Sequence, residues 1–114
     1  MFQKLRTVVY HVDDLAKAKQ WYNAITGIDP YFESPFYIGF DINGCELGLD
    51  PDNTGIQAGN NAVAYWKVEN LVQAVEKCIV AGGTLYSPIQ KVGGTIEVAV
   101  INDPFGNHVG LISE

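Results

Sequence analysis

The stretch VVYHVDDLAKAKQWY, Val8 to Tyr22, returns in looser form as AYWKVENLVQAVEKC, Ala64 to Cys78, at a constant offset of 56 residues. Each copy reads as a strand followed by a helix. From Thr7 to Val12 the residues are β-branched and aromatic, the composition of a strand. Asp14 then stands as an N-cap, Leu15, Ala18, Tyr22 and Ile25 follow at helical spacing, and Gly27 supplies the stop. In the second copy Val63 to Val68 is the strand and Asn70 the cap, with Gln73 three residues on in the spacing of a capping box. Leu71, Ala74, Val75, Cys78 and Ile79 form its apolar stripe, and Gly82-Gly83 end it.

Three short strands are expected behind each helix. In the first half they fall at about 28–33, 36–42 and 45–50, with Asn43-Gly44 a two-residue hairpin turn between the last two. In the second half they fall at about 84–92, 95–102 and 107–113, joined by Gly93-Gly94 and by NDPFGN, Asn102 to Asn107. PDNTGIQAGN, residues 51–60, has the composition of a linker. The sequence therefore predicts one domain over residues 1–114, with a βαβββ module at about 1–50 and a second at about 61–114.

Composition narrows the function. Hydrophobic residues make up 47% of the chain, as in a folded globule, and no apolar run approaches the length needed to span a bilayer. The opening MFQKLRTVVY lacks the apolar core of a signal peptide, so a cytoplasmic location is expected. Seven basic residues stand against thirteen acidic ones, a net charge of −6, with no basic stripe. Nucleic acid and anionic membrane are accordingly not expected partners; the acidic surface reads first as a solubility device and less often as favouring a cationic ligand. Cys45 and Cys78 form no CxxC and have no histidine nearby, which reads as free thiols rather than a disulfide or metal pair.

The layout resembles the vicinal oxygen chelate superfamily, which holds glyoxalase I, extradiol dioxygenases, and bleomycin- and fosfomycin-resistance proteins. HVDDLAKAKQWYNAITG near the start matches that family's strand–Asp-Leu–helix–Gly opening. INDPFGNHVGLI matches its Asp-Pro-x-Gly-Asn closing hairpin. The resemblance implies an α+β, glyoxalase-like fold, two βαβββ modules whose curled mixed sheet encloses a cavity. It also implies a homodimer, in which modules are sometimes exchanged between chains.

Strand alternation sorts the side chains. About the Asn43-Gly44 turn, Asp41 opposes Glu46. Phe36, Ile38, Phe40, Ile42, Cys45, Leu47 and Leu49 then face a helix, and Tyr37, Gly39, Asp41, Glu46, Gly48 and Asp50 face the cavity. The same parity turns Thr7, Val9 and His11 inward on the first strand, and Val63, Tyr65 and Lys67 in the repeat. Glu97, His108, Gly110 and Ile112 follow in the last hairpin. The expected ligand-binding lining is Thr7, His11, Tyr37, Asp41, Glu46, Tyr65, Lys67, Glu97 and His108.

Metal-dependent members of the resembled family carry one ligand on the first and one on the last strand of each module. Those positions match Thr7, Gly48, Val63 and Gly110. Glycine and valine offer no side-chain donor and threonine is a poor ligand for a divalent ion, so no metal cofactor is expected; the alternative is a divalent metal at His108 and Glu46, whose two ligands would make a weak site. A shift of two residues in the last-strand match would bring Glu46 to the place of Gly48. With Gly48 beside Thr7, His11 and Glu46 would lie about 20 Å apart, too far to share an ion. His11 reads either as a wall histidine or as a substrate-contacting base, and Asp41 with Glu46 either as a solvated hairpin end or as an attractor of cations. Lys67 would pair with Glu97 or Glu46.

Two functions follow. One is a protein that binds a small organic molecule in the cavity between its modules without metal, as bleomycin-resistance proteins do. The other is an enzyme, a metal-dependent glyoxalase (lactoylglutathione lyase-like) or a dioxygenase-like protein. A diverged domain retained for binding another protein is a third possibility.

Overall fold

A computed structural model describes residues 1–56 and 62–114. Residues 57–60 of the expected linker lie outside the described residues. The chain divides into two compact units, Met1–Gln57 and Ala58–Glu114.

The first unit runs β1 (Thr7–His11), α1 (Leu15–Thr26), β2 (Phe32–Ser34), β3 (Tyr37–Ile42) and β4 (Cys45–Asp50). Its sheet has the order β1-β4-β3-β2, parallel between β1 and β4 and antiparallel elsewhere. Asp14 caps α1 by accepting from the Lys17 amide at 3.0 Å, and Gly27 ends it in the left-handed region at φ 70. The apolar stripe of α1 packs on the sheet. Ala18, Trp21 and Tyr22 are buried against Tyr10, Val12, Ile38, Phe40, Leu47 and Leu49. Tyr22 stacks on Tyr10 at 5.7 Å and meets the edge of Trp21 at 4.7 Å, arrangements that add to the burial itself.

The second unit runs β5 (Ala64–Lys67), α2 (Leu71–Val80), β6 (Thr84–Gly93), β7 (Ile96–Asn102) and β8 (His108–Ser113), in the sheet order β5-β8-β7-β6. Asn70 caps α2 through the Gln73 amide at 3.0 Å, the forward half of the expected box. Leu71, Val75 and Cys78 pack with Ala99, Ile101, Val109 and Leu111. The NDPFGN turn is organised by Asp103, which is 4% exposed and accepts from the amides of Phe105 and Asn107 and from Asn107 Nδ2. The fold is thus α+β, two four-stranded mixed sheets each carrying one helix.

Two expectations about elements need correction. The strand placed at 28–33 is only Phe32–Ser34, since Asn23 Nδ2 holds Ile28 and Asp29 in the irregular exit from α1. Phe36 does not pack under the helix. It sits in the tight turn between β2 and β3 and is 79% exposed, because alternation does not extend into a turn.

Candidate functional site

The sheet face of the first unit that points away from α1 is built around Glu46. β4 lies between β1 and β3, and the register sets Glu46 opposite Thr7 on one side and opposite Asp41 on the other. The Asp41 pairing is the one expected from the Asn43-Gly44 turn. The parallel register corrects the other reading: Thr7 faces Glu46, and Gly48 lies two residues further along beside Val9. His11 pairs with Asp50, four residues up β1 from Thr7, so it stands about 13 Å rather than 20 Å from the carboxylate. At either separation the two cannot share an ion.

Glu46 Oε1 accepts from the Thr7 hydroxyl and the Tyr37 hydroxyl, each at 3.0 Å, and lies 3.4 Å from Arg6 Nη1. Its Oε2 accepts from the Tyr31 hydroxyl. Arg6 Nη1 in turn donates to Thr7 Oγ1 at 2.7 Å. The carboxylate is 12% exposed, and the hydrogen bond from Tyr31, with those from Thr7 and Tyr37 and the charge of Arg6, holds it below the usual carboxylate range despite its burial. The phenols move the other way. Burial, then the hydrogen bond to Glu46, pushes Tyr37 up to about 12, and the hydrogen bond to Glu46 raises Tyr31.

Two glycines make room for the rings. Gly39 and Gly48 oppose each other on β3 and β4. A Cβ at Gly48 would overlap the Tyr37 hydroxyl and come 2.6 Å from its Cζ. At Gly39 it would come 2.8 Å from Glu46 Oε2 and 3.0 Å from Tyr31 Cε1. Beside this network a depression of about 200 Å³ is lined by Arg6, Tyr31, Asp41, Gly44 and Glu46. Asp41 is exposed and turns one oxygen to the Gly44 amide at 2.8 Å, which draws it off the facing Glu46 and relieves the like-charge pairing.

Of the residues expected to bind a ligand, Thr7, Tyr37, Asp41 and Glu46 are gathered here. His11 is not among them, and its Nδ1 lies 3.0 Å from the Asp52 carbonyl oxygen. In the second unit the expected residues are dispersed. Tyr65 is 48% exposed and covers Gly110, where a Cβ would meet its Cδ1 at 2.6 Å and the Ala64 carbonyl oxygen at 2.8 Å. Lys67 lies 4.0 Å from Glu114, not beside Glu97, because its register partner is Ile112 at the chain's end. Glu97 stands across from Lys91 and Ser113, so it lies on the face opposite to Gly110 and Ile112 and not inward as expected, because Val98 and Val100 take the inward places in β7. The His108 ring packs at 4.1 Å against Tyr86.

Arg6 and Tyr31 belong to the site and were not found from the sequence. Each lies just outside a strand, where alternation gives no direction. The Glu46 amide nevertheless donates to the Arg6 carbonyl, and the Tyr31 amide to the Gly39 carbonyl, so both are tied to the sheet. The readable signal was the inward glycine pair, which leaves a space that large side chains must fill.

Gly48 and Gly110, the positions matched to the family's last-strand ligands, are each covered by a tyrosine and carry no donor, but the register sets Glu46 rather than Gly48 opposite Thr7. Thr7 spends its hydroxyl on Glu46, and Val63 has no donor. Among the described residues no three His, Cys, Asp or Glu side chains gather closely enough to hold a metal ion. Glu46 is the carboxylate that the register brings beside Thr7, and both of its oxygens already accept hydrogen bonds from Thr7, Tyr31 and Tyr37, so the first unit does not assemble the family's metal ligands.

Two βαβββ modules, each with a helix on one face of its sheet, define a glyoxalase-like protein. A family model matches residues 4–111, and the chain belongs to the Glyoxalase/Bleomycin resistance protein/Dioxygenase superfamily. Similar solved structures include a glyoxalase/bleomycin resistance protein/dioxygenase family enzyme from Burkholderia phytofirmans PsJN, with a TM-score of 0.84 and 18% identity over 97% of this chain and 98% of that one. A glyoxalase-related enzyme from Fulvimarina pelagi has a TM-score of 0.80 at 18% identity, over 99% of this chain and 89% of that one. The genomically encoded fosfomycin resistance protein FosX from Listeria monocytogenes has a TM-score of 0.81 at 15% identity, over 100% and 95%. At these identities the likeness is one of fold. No curated protein matches the chain. No described helix is long and apolar enough to cross a membrane.

Proposed function

We propose that this chain is a small-molecule-binding member of its family that works without the family's metal. The observation that carries this is the place above Gly48. Tyr37 fills the space over Gly48, and its hydroxyl is committed to Glu46, the residue that the register sets opposite Thr7. Thr7, Tyr31, Tyr37 and Glu46 spend their polar atoms on one another, which supports a site that uses no metal. Open aromatic surface at Tyr31 and Phe32 in the first unit suits an amphipathic molecule, and the net charge of −6 favours a cationic one. A homodimer in the cytoplasm, with both modules acting as one domain, completes the proposal and rests on the family resemblance and the composition.

The test is metal content and metal binding. Stripped protein is offered nickel, cobalt, zinc, manganese and iron(II), then analysed by elemental mass spectrometry and calorimetry. No stoichiometric uptake is expected. One tightly bound ion per chain overturns the proposal and makes glyoxalase and dioxygenase assays the next step.

A further inference from the structure

The small-molecule reading leaves the chemical class of the ligand open, and the direction of the hydrogen bonds around Glu46 narrows it. A carboxylate that accepts from Tyr31, Tyr37 and Thr7 consumes the protons of all three hydroxyls. The Thr7 oxygen already accepts from Arg6. The two phenol oxygens are left able only to accept. Among the described residues Asp41 has one hydrogen-bond partner, the Gly44 amide, so its second carboxylate oxygen is an acceptor as well. The lining of the depression holds two carboxylates, Asp41 and Glu46, against one guanidinium, Arg6. That guanidinium is 74% exposed and meets Glu46 Oε1 only at 3.4 Å, its shorter bond of 2.7 Å going to the Thr7 hydroxyl oxygen.

We propose that this depression takes a planar organic cation rich in N–H donors, of the amidinium or guanidinium class, and that Arg6 is its intramolecular competitor. Such a cation pairs with carboxylates through two parallel N–H bonds and stacks on an aromatic face, here the 60% exposed ring of Tyr31. The volume of about 200 Å³ suits one small aromatic molecule. Because an exposed ion pair is worth at most about 1 kcal/mol, an incoming cation can displace Arg6. The proposal rests on the small-molecule reading and is tested separately from it.

The experiment is calorimetric titration of the full chain with benzamidine and with benzoate, molecules of the same shape and opposite charge. Benzamidine is expected to bind and benzoate not. R6A should tighten benzamidine binding by about two- to five-fold, the worth of the exposed pair it removes. D41N, on the exposed hairpin end, and E46Q should each weaken it. Benzoate binding that R6A abolishes would make this an anion site, overturning the cation class while leaving metal-free small-molecule binding intact. Failure of benzamidine to bind wild type and R6A at millimolar concentration also overturns the class, whatever the metal experiment returns.

Discussion

Replacing Gly48 with alanine adds one carbon at the most crowded point of the site. The new Cβ would overlap the Tyr37 hydroxyl and lie 2.6 Å from Cζ and 2.9 Å from Cε1. These atoms are the far end of a side chain, so the ring swings aside rather than the backbone. In swinging it loses its 3.0 Å hydrogen bond to Glu46. A hydrogen bond to a charged group contributes about 1.5–3 kcal/mol. Exchanging glycine for alanine in a strand returns about 0.5–1 kcal/mol of backbone entropy. The net expectation is a loss of about 1–2 kcal/mol, read as a lower urea midpoint at unchanged slope. In a Y37A background the obstacle is gone, and the same substitution should be neutral or stabilising. Spectrophotometric titration of the single variant should show the Tyr37 phenol falling from about 12 towards its ordinary 10. A G48A protein as stable as wild type, with that phenol still near 12, would refute the packing of Tyr37 over Gly48.

Titration offers a second check. The folded-state pKa of Glu46 is depressed, so its contribution to stability is present above the unfolded value of about 4.3 and is lost as pH falls through the folded one; E46Q should flatten this acid limb in urea melts at stepped pH. Tyr37 is raised, so its contribution is present below pH 10 and lost as pH climbs to about 12, and E46Q should move the observed phenol titration downward. D103A removes the acceptor for two backbone amides in the β7–β8 turn and should cost about 2–3 kcal/mol by urea denaturation, with 1H–15N spectra showing the change centred on residues 102–108. Cys78 is buried and its thiol is pushed up to about 11 by that burial, so a thiol reagent should label it only on unfolding. Rapid labelling of Cys78 in the native protein would contradict its place on the buried face of α2.

Much of the fold was legible in the sequence because its signals are local. The caps at Asp14 and Asn70, the left-handed stop at Gly27 and the hairpin at Asn43-Gly44, where both residues have positive φ, are decided within a few residues. Alternation on either side of that turn was enough to place Asp41 opposite Glu46 and to bury Ile38, Phe40, Leu47 and Leu49. The tyrosine-ringed carboxylate was legible only in part. Glu46 and Tyr37 could be assigned a face, but not each other. Thr7 and Glu46 are 39 residues apart and meet across a parallel pair, whose register no turn specifies; it is set by how α1 packs between the two strands. Tyr31 and Arg6 lie beyond strand ends, where the period of two no longer says which way a side chain points. The sequence by itself determined the repeated βαβββ unit and the parity of β3 and β4, though not that of β7, where Glu97 pairs with Ser113 on the face opposite to His108. Only the tertiary structure decided which side chains fill the space above the glycines, because that depends on distant segments packing into the same few ångströms.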